Sequence, residues 1–308
     1  MWKKIVFLSE YVLGRTAAGR LAPALEDAVF LVSFPKSGNT WSRFLIGNLI
    51  HPEERVTFAN VDRIVPDIYG TTANDIRAMP PPRIFKSHEA FDPRYRRVIY
   101  IVRDPRDVAV SSYHFARKGR QIADTLPLET YVSTRFLGRD HEYGNWGDHV
   151  GSWLVNASNI AQLLAGGDLS VGEGLRLGAR GHGRQFLLLR YEDLLENTEV
   201  ELSKIAEFVG HKASPQEIRK AIAWSSVDHM RKLEHEQSDQ WSTTKEGRKD
   251  INFVREARSG QWKSSLSPAV VAEIELAWGH LMRVLGYERA AAPREQPEGK
   301  PASPAKLR

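Results

Sequence analysis

The chain has 308 residues, of which 43 are Lys or Arg and 38 are Asp or Glu, so its formal net charge is +5. It contains no cysteine, which excludes disulfides, cysteine-based zinc sites, iron–sulfur clusters and a thiol nucleophile. Hydrophobic residues make up 42% of the chain, as in globular proteins. The mild positive charge suits an anionic ligand and does not indicate a nucleic-acid partner.

The first 27 residues are predicted to form a separate helical segment. Its apolar residues share roughly one helical face, and they are Trp2, Ile5, Val6, Val12 and Leu13. We expect this face to dock on the body of the protein, with contact to a membrane surface as the lesser alternative. No stretch approaches the roughly 18 uncharged apolar residues of a membrane span, so no transmembrane segment is expected.

Four short apolar runs are predicted to be strands. Three are strong, at residues 28–34, 97–102 and 186–191, and a weaker one lies at 83–86. They are rich in β-branched or aromatic residues and do not alternate with polar ones, which is typical of parallel strands covered on both faces. Helical patterns lie between them, so we expect an α/β fold with ligands bound beyond the carboxyl ends of the strands.

Capping patterns predict where several helices begin. The predicted starts are Asp104 before Pro105, a Thr198–Glu201 capping box, Ser214 before Pro215 with Glu217, and Ser267 before Pro268 with a helix running to Gly286. The Gly-rich segment 166–184 is predicted to be a surface loop. Residues 28–289 are expected to form the folded domain, and the Pro-rich segment 290–308 a disordered tail.

The first strong strand leads into a turn that is suited to an anion. Residues 33–41 read SFPKSGNTW and are followed by a helical pattern, so backbone N–H groups and the helix dipole would favour negative charge there. Lys36 adds a cation, and Ser37 and Thr40 add hydroxyl donors. A simple capped turn is the structural alternative. In a Walker A loop the Lys follows the second Gly, whereas Lys36 precedes Gly38, which disfavours a metal-dependent nucleotide triphosphatase.

The heptapeptide PKSGNTW resembles the PKSGTTW loop of the cytosolic-type sulfotransferases. These enzymes move a sulfuryl group from 3′-phosphoadenosine 5′-phosphosulfate (PAPS) to a hydroxyl or an amine. Five further segments are similar to family segments in the same order, so the resemblance runs from about residue 29 to about residue 288. It implies a three-layer P-loop-like α/β fold, PAPS as co-substrate, no metal, a cytoplasmic location and a small-molecule or lipid acceptor.

The segment 103–115, RDPRDVAVSSYHF, is similar to the family segment that binds the 3′-phosphate of the donor. The resemblance implies that Arg103 and Ser111 bind that phosphate, and Arg is suited to bidentate phosphate contacts. Pairing of Arg103 with Asp104 or Asp107 is the structural alternative.

The segment 83–88, RIFKSH, is similar to the family's K-[TS]-H, in which the His is the catalytic base. The resemblance implies that His88 is the base and that Lys86 stabilises charge on the sulfuryl oxygens. An imidazole with an ordinary pKa of about 6.5 can accept a proton near neutral pH.

Two more segments resemble the family's YGSWFDHV-x-x-W and YEDL. The first is residues 143–153, which we predict to supply core aromatics near the acceptor site. The second is residues 189–194, and the resemblance implies that Tyr191 in this segment reaches the donor nucleotide. Ser225 is expected to lie near the adenine, where Val227 replaces an aromatic residue that would stack on the base.

The segment 253–263, FVREARSGQWK, resembles the family's R-K-G-x-x-G-x-W-K. The matching residues are Arg255, Gly260, Trp262 and Lys263. Glu256 and Ala257 replace Lys and Gly, which removes a positive charge and a Gly near the 3′-phosphate and is expected to weaken donor binding. Arg258 is the candidate for a compensating charge.

These inferences define an expected site. The catalytic candidates are His88, Lys36 and Lys86; the donor-binding candidates are Lys36, Ser37, Gly38, Asn39, Thr40, Trp41, Arg103, Ser111, Tyr191, Ser225 and Arg255; the acceptor-binding candidates are Phe115, Tyr113, His114, His88 and the segment 58–82. A P-loop nucleotide kinase and a non-catalytic nucleotide-binding protein on the same fold remain the alternatives. The oligomeric state is left open, because residues 267–272 depart from the family's dimer segment.

Overall fold

The computed structural model describes residues 27–71, 73–138, 142–157 and 185–290. The predicted N-terminal helix, the Gly-rich loop and nearly all of the predicted tail lie outside these residues. The strands are β1 Val29–Ser33, β2 Ile84–Ser87, β3 Arg97–Val102 and β4 Gln185–Arg190. The helices are α1 Asn39–Ile50, α2 Val61–Ile64, α3 Ala73–Ala78, α4 Pro105–Lys118, α5 Leu128–Tyr131, α6 Trp146–Ala157, α7 Tyr191–Glu196, α8 Thr198–Val209, α9 Pro215–Trp224, α10 Val227–Gln237, α11 Trp262–Ser265 and α12 Pro268–Val284. A π-helical turn, Val132–Phe136, follows α5.

The four strands form one parallel sheet in the order β2-β1-β3-β4. Val29 of β1 lies opposite Ile84 of β2 and Arg97 of β3, which sets the register. All four predicted strands are confirmed, including β2, which corresponds to the weaker apolar run at residues 83–86.

Alternate residues of each strand face two separate apolar cores. On β1, Phe30 and Val32 face one core, while Val29 and Leu31 face the other. The first core includes buried residues of α4, α6 and α12, and the second includes residues of α1, α8, α9 and α10. The sheet is therefore covered on both faces, which explains why its strands are apolar throughout and confirms the predicted α/β architecture.

Three of the predicted helix starts have the expected hydrogen bonds. Asp104 accepts from the N–H of Arg106, and Ser267 accepts from the N–H of Val270. Ser214 forms a reciprocal capping box with Glu217. These side chains satisfy backbone N–H groups that the helix itself leaves without a partner.

The predicted capping box at Thr198 is wrong. Thr198 is the first helical residue of α8, and Asn197 occupies the preceding N-cap position. The Glu201 carboxylate instead accepts from the ammonium of Lys204 at 2.7 Å. Because Lys204 on the same helix face binds the Glu201 carboxylate, this carboxylate does not make the bond to the N-cap backbone that a capping box requires.

The topology brings four chain segments to one edge of the sheet. The carboxyl ends of β1, β2, β3 and β4 are followed by the loop 34–38, His88, Arg103 and Tyr191 respectively. Because the strands are parallel, these positions lie at the same edge. No helix among the described residues is long and apolar enough to cross a bilayer.

Candidate active site

A cavity of about 1080 Å³ lies at the carboxyl edge of the sheet. The predicted site residues on its wall are Lys36, Gly38, Asn39, Thr40, Trp41, Lys86, His88, Arg103, Ser111, Phe115, Tyr191 and Arg255. The structure therefore brings together residues from the loop after β1, the ends of β2 to β4, helix α4 and the segment before α11. Across the described ranges, no three His, Asp or Glu side chains gather in a way that would hold a metal ion.

Two predicted site residues, Tyr113 and Ser225, are buried behind the cavity wall. The Tyr113 hydroxyl donates to the carbonyl of Leu126 at 2.8 Å, so this ring is part of the core. The Ser225 hydroxyl accepts from the amide of Asn48 at 3.1 Å, and its carbonyl accepts from the indole N–H of Trp41 at 3.0 Å. Ser225 thus supports the wall by holding Trp41.

The loop after β1 is shaped by two residues with left-handed backbone conformations. Lys36 has a φ of 69° and Gly38 a φ of 99°. A Cβ atom at Gly38 would lie 2.4 Å from the Tyr191 ring, so only glycine fits there. The amide of Asn39 donates to the carbonyl of Leu31 at 3.2 Å and ties the loop to its strand.

The loop leaves the start of α1 open to an anion. Its N-cap, Gly38, provides no side-chain cap, so the first N–H groups of this helix are available for a ligand. Ser37 is also a predicted site residue, but it does not line the cavity. Its hydroxyl is buried and has no hydrogen-bond partner among the described residues. A buried polar group of this kind is costly unless a ligand or water satisfies it.

Three cations face one another in the donor half of the cavity: Lys36, Arg103 and Arg255. Burial, followed by the charges of Arg103 and Arg255, lowers the pKa of Lys36 to about 7. The Lys36 ammonium lies between two aromatic rings, 4.1 Å from the centroid of Phe115 and 4.4 Å from that of Phe253. The mutual repulsion of these cations would be relieved by a bound anion.

Arg103 is held so that its guanidinium stays in the cavity wall. It donates to the carbonyls of Lys36 at 3.3 Å and Arg258 at 3.2 Å, and it lies 4.3 Å from the centroid of the Tyr191 ring. Its Nε is buried without a partner among the described residues.

The two Asp residues that could have paired with Arg103 have other roles. The Asp104 carboxylate pairs with Arg106 at 2.6 Å. The Asp107 carboxylate accepts from the N–H groups of Gly260 at 2.7 Å and Trp262 at 3.0 Å. Asp107 therefore fixes the segment that leads into α11 beside the donor half of the cavity.

Glu256 and Ala257, which depart from the family pattern, both lie at the cavity wall. Arg258, the candidate for a compensating charge, does not line the cavity; it pairs with Glu256 at 2.5 Å and so neutralises that carboxylate. Ala257 has a φ of 44°, in the region that favours glycine. The backbone thus keeps a glycine-like conformation although the residue is alanine.

His88 is oriented by a hydrogen bond to the neighbouring strand. Its Nδ1 lies 2.7 Å from the carbonyl oxygen of Ser33. Because a carbonyl can only accept, Nδ1 carries the proton and Nε2 keeps its lone pair. Burial, then the charge of Lys86, holds the pKa of His88 well below its usual range. The imidazole is therefore neutral and able to accept a proton at neutral pH.

Helix α6 holds the backbone around His88 in place. The ring of His149 donates from Nε2 to the His88 carbonyl at 3.0 Å, and its Nδ1 accepts from the Tyr100 hydroxyl at 2.9 Å. The indole of Trp153 donates to the Glu89 carbonyl at 2.9 Å. Sequence reasoning assigned this segment to core packing and missed its polar role; the signal was a His in an otherwise aromatic and apolar helix face.

The acceptor half of the cavity surrounds His88 with polar and aromatic groups. The Lys86 ammonium lies 2.5 Å from the Asp67 carboxylate, and burial nevertheless lowers the pKa of Lys86. The Tyr69 hydroxyl accepts from the N–H of His88 at 3.3 Å, and the Tyr143 ring lies 5.5 Å from the His88 ring. Asp67 and Tyr69 belong to the predicted segment 58–82. Further wall residues that the sequence did not single out are Gln121, Tyr131, Glu142 and Phe253.

Comparisons with known proteins give the family and the fold of the chain. A family profile described as the sulfotransferase domain matches residues 26–165 and 171–286. The chain is 28% identical over 286 residues to a 3-beta-hydroxysteroid sulfotransferase of Cavia porcellus, covering 88% of each protein. It is 26% identical over 282 residues to sulfotransferase 1E1 of Bos taurus, covering 84% and 85%. A mouse sulfotransferase, SULT7A1, solved in complex with PAP, shares the fold with a TM-score of 0.61 and 22% identity, over 87% of this chain and 88% of that one.

Proposed function

We propose, because the chain belongs to the sulfotransferase family, that it transfers a sulfuryl group from PAPS to a hydroxyl or amine of a small-molecule or lipid acceptor, with His88 as general base. The resemblance to cytosolic-type members supports action in the cytoplasm. The curated relatives named above include a hydroxysteroid sulfotransferase, which is consistent with a small hydroxylated acceptor.

One observation carries the proposal. Two groups of the cavity wall are suited to this reaction: the imidazole of His88, whose Nε2 keeps its lone pair because Nδ1 carries the proton, and the ammonium of Lys36, which can bind an anion. They are delivered by adjacent strands, β2 and β1. A base on one side and a cation on the other is the arrangement that group transfer from an anionic donor to a hydroxyl requires.

The residues present fit a donor with two anionic groups. The uncapped start of α1 and the buried hydroxyl of Ser37 suit one group. Arg103, with its unpartnered Nε, and Arg255 suit a phosphate. The mouse neighbour was solved with PAP, the nucleotide that remains after PAPS loses its sulfuryl group.

Each catalytic side chain has a defined task in this proposal. PAPS supplies the activated sulfuryl group when bound. His88 accepts the acceptor proton at Nε2, Lys36 donates to the bridging oxygen, and Lys86 with the loop N–H groups stabilises charge on the equatorial oxygens. Catalysis is then mostly positioning and electrostatics, to which proton transfer to His88 adds its own contribution.

Mass spectrometry tests the reaction directly. The protein is incubated with PAPS and either a panel of phenols, sterols and amines or a host extract, and sulfated products are expected. PAP binding without a sulfated product from any acceptor would instead favour a non-catalytic nucleotide-binding protein. Turnover of ATP with added Mg²⁺ would favour a kinase.

Calorimetry tests the donor half of the site. Lys36→Ala and Arg103→Ala are each expected to weaken PAP binding by about tenfold or more, since each removes a charge-assisted contact. Lys249→Ala is the control, because Lys249 pairs with Ser238 at 3.0 Å outside the cavity. Unchanged PAP affinity in both site variants would refute this placement of the donor.

A further inference from the structure

A buried ion pair lies behind the donor half of the cavity. Lys118, the last residue of α4, and Glu234 of α10 approach to 3.2 Å, and their side chains are 4% and 8% exposed. Neither side chain lines the cavity. Buried charges are costly unless all their hydrogen-bonding capacity is used, so the partners of this pair indicate its role.

Both members of the pair bind the backbone of one segment, residues 248–255, which we call the strap. The Lys118 ammonium donates to the carbonyls of Arg248 at 3.0 Å and Ile251 at 2.6 Å, in addition to its ion pair with Glu234. The Glu234 carboxylate accepts from the N–H groups of Phe253 at 2.6 Å and Val254 at 2.8 Å.

The strap has neither helix nor strand, so its backbone groups need partners from elsewhere. Its far end supplies two parts of the donor site. Phe253 places its ring 4.4 Å from the Lys36 ammonium, and Arg255 follows two residues later on the cavity wall. The position of the strap therefore decides how closely Lys36 is enclosed and where Arg255 points.

We propose that Lys118 and Glu234 are positioning residues for the donor site, acting through the strap that they bind. This inference rests on the proposed function, since it concerns the binding of PAPS and PAP. The pair keeps the Phe253 ring next to Lys36 and keeps Arg255 in the donor half of the cavity. The cations are therefore arranged before the donor binds. Such preorganisation raises affinity because less ordering remains to be done on binding.

The test replaces both charges at once. In Lys118→Met/Glu234→Met, apolar side chains of similar length fill the same volume, and such exchanges of a buried ion pair often preserve folding. The strap loses all four side-chain contacts with the pair. We expect PAP affinity, measured by calorimetry at a temperature where the variant is folded, to fall at least about tenfold; the thermal unfolding midpoint should also fall, because four backbone groups of the strap lose their partners. Lys249→Ala, on the same strap but bonded to Ser238, is the control and should bind PAP normally.

A pH series separates positioning from general weakening. The charges that act on Lys36 are Arg103, Arg255 and Lys118, which lower its pKa, and Glu234, which raises it. Of these two residues Glu234 has the larger effect, so removing both charges would by itself lower the pKa of Lys36, and a rise in that pKa can come only from weaker enclosure by Phe253. We expect the loss of PAP affinity with rising pH to occur at higher pH in the double variant, because water reaches the Lys36 ammonium.

Each outcome decides a different point. A folded double variant with wild-type PAP affinity and pH dependence overturns the positioning role. A wild-type protein that binds no PAP overturns the proposed function instead. If the double variant does not fold, Glu234→Gln is used, since its amide nitrogen cannot accept from the strap; unchanged PAP affinity in that folded variant also overturns the inference.

Discussion

His88 owes its single tautomer to a backbone carbonyl of the neighbouring strand. The bond from Nδ1 to Ser33 leaves the basic lone pair on Nε2, and burial, followed by the charge of Lys86, lowers the pKa and keeps the ring neutral. The same cavity contains Lys36, whose pKa burial and neighbouring cations lower to about 7. His88, the proposed base, is therefore neutral and able to accept a proton near neutral pH. Lys36, the proposed anion-binding ammonium, loses its proton in the same pH range.

These shifts predict the pH profile of kcat/KM for the donor, which reports on the free enzyme. Lys36 loses its charge as pH rises through about 7, so kcat/KM should fall above that pH. The acid limb should lie well below pH 6.5, because the lowered pKa keeps His88 neutral there. Lys36→Arg should lose the alkaline limb, since a guanidinium stays charged. An alkaline limb in the wild type near the usual Lys pKa of about 10.4 would contradict this.

Gly38 is predicted to be irreplaceable in the donor loop. Gly38→Ala would place a Cβ 2.4 Å from the Tyr191 ring at a φ of 99°, so PAP affinity should fall by about tenfold or more. Gly210→Ala is the matched control, because Gly210 has a φ of 79° but a Cβ added there would meet nothing within 4 Å. The control should lose about 1 kcal/mol of unfolding free energy and bind PAP normally. Equal PAP affinities in the two variants would contradict the close-contact explanation.

Ala257 is predicted to be a strained residue that glycine would relieve. Ala257→Gly should raise the free energy of unfolding by about 0.5–1 kcal/mol, measured by denaturant titration, because its φ of 44° disfavours a side chain. PAP affinity should rise as well, since Ala257 lines the cavity. Arg120→Gly, at a φ of 54° outside the cavity, should stabilise without changing PAP affinity. A loss of PAP affinity in Ala257→Gly would show that the alanine is adapted to the donor.

Helix α6 acts on the site through hydrogen bonds to the end of β2. The His149 ring donates to the carbonyl of His88, so α6 holds the backbone that carries the proposed base. His149→Gln, which can donate from a similar position, should keep most of the kcat, whereas His149→Leu should lower it by about tenfold with little change in PAP affinity. Steady-state kinetics with saturating PAPS, together with PAP calorimetry, checks this. Equal kcat values in both variants would refute the positioning role of α6.

The strands and most helix starts could be predicted because their signals are local. The run 97–102 is apolar throughout since β3 is covered on both faces. Ser214 ahead of Pro215 and Glu217 predicted a helix start, and the structure has that helix, begun by a capping box. Thr198 was misassigned because the Glu201 carboxylate has a competing partner, Lys204, which a short motif cannot reveal.

The site could be predicted only where a motif carried it. The loop containing Lys36 and the strand end containing His88 were located by resemblance, and both line the cavity. The contact of Phe253 with Lys36 and the buried pairing of Lys118 with Glu234 join segments far apart in the chain. Such contacts depend on the tertiary fold, so no local pattern indicates them.

The distribution of charge over the protein matters more than its sum. The net charge of +5 is small for 308 residues, yet Lys36, Arg103 and Arg255 gather at one cavity, where burial and then the charges of the two Arg residues lower the pKa of Lys36. The parallel sheet makes this possible, because segments distant in sequence end at the same edge. A positive field concentrated in a cleft attracts an anionic donor, although composition alone would not indicate it.

Single-turnover sulfation by His88→Ala, with PAP binding measured on the same preparation, is the most direct test of the proposed mechanism. We expect the variant to transfer the sulfuryl group at least about a hundredfold more slowly than the wild type, as befits loss of a general base, while binding PAP with unchanged affinity. Near-normal transfer by the variant would contradict the assignment of His88 and, with it, the proposed chemistry of this cavity.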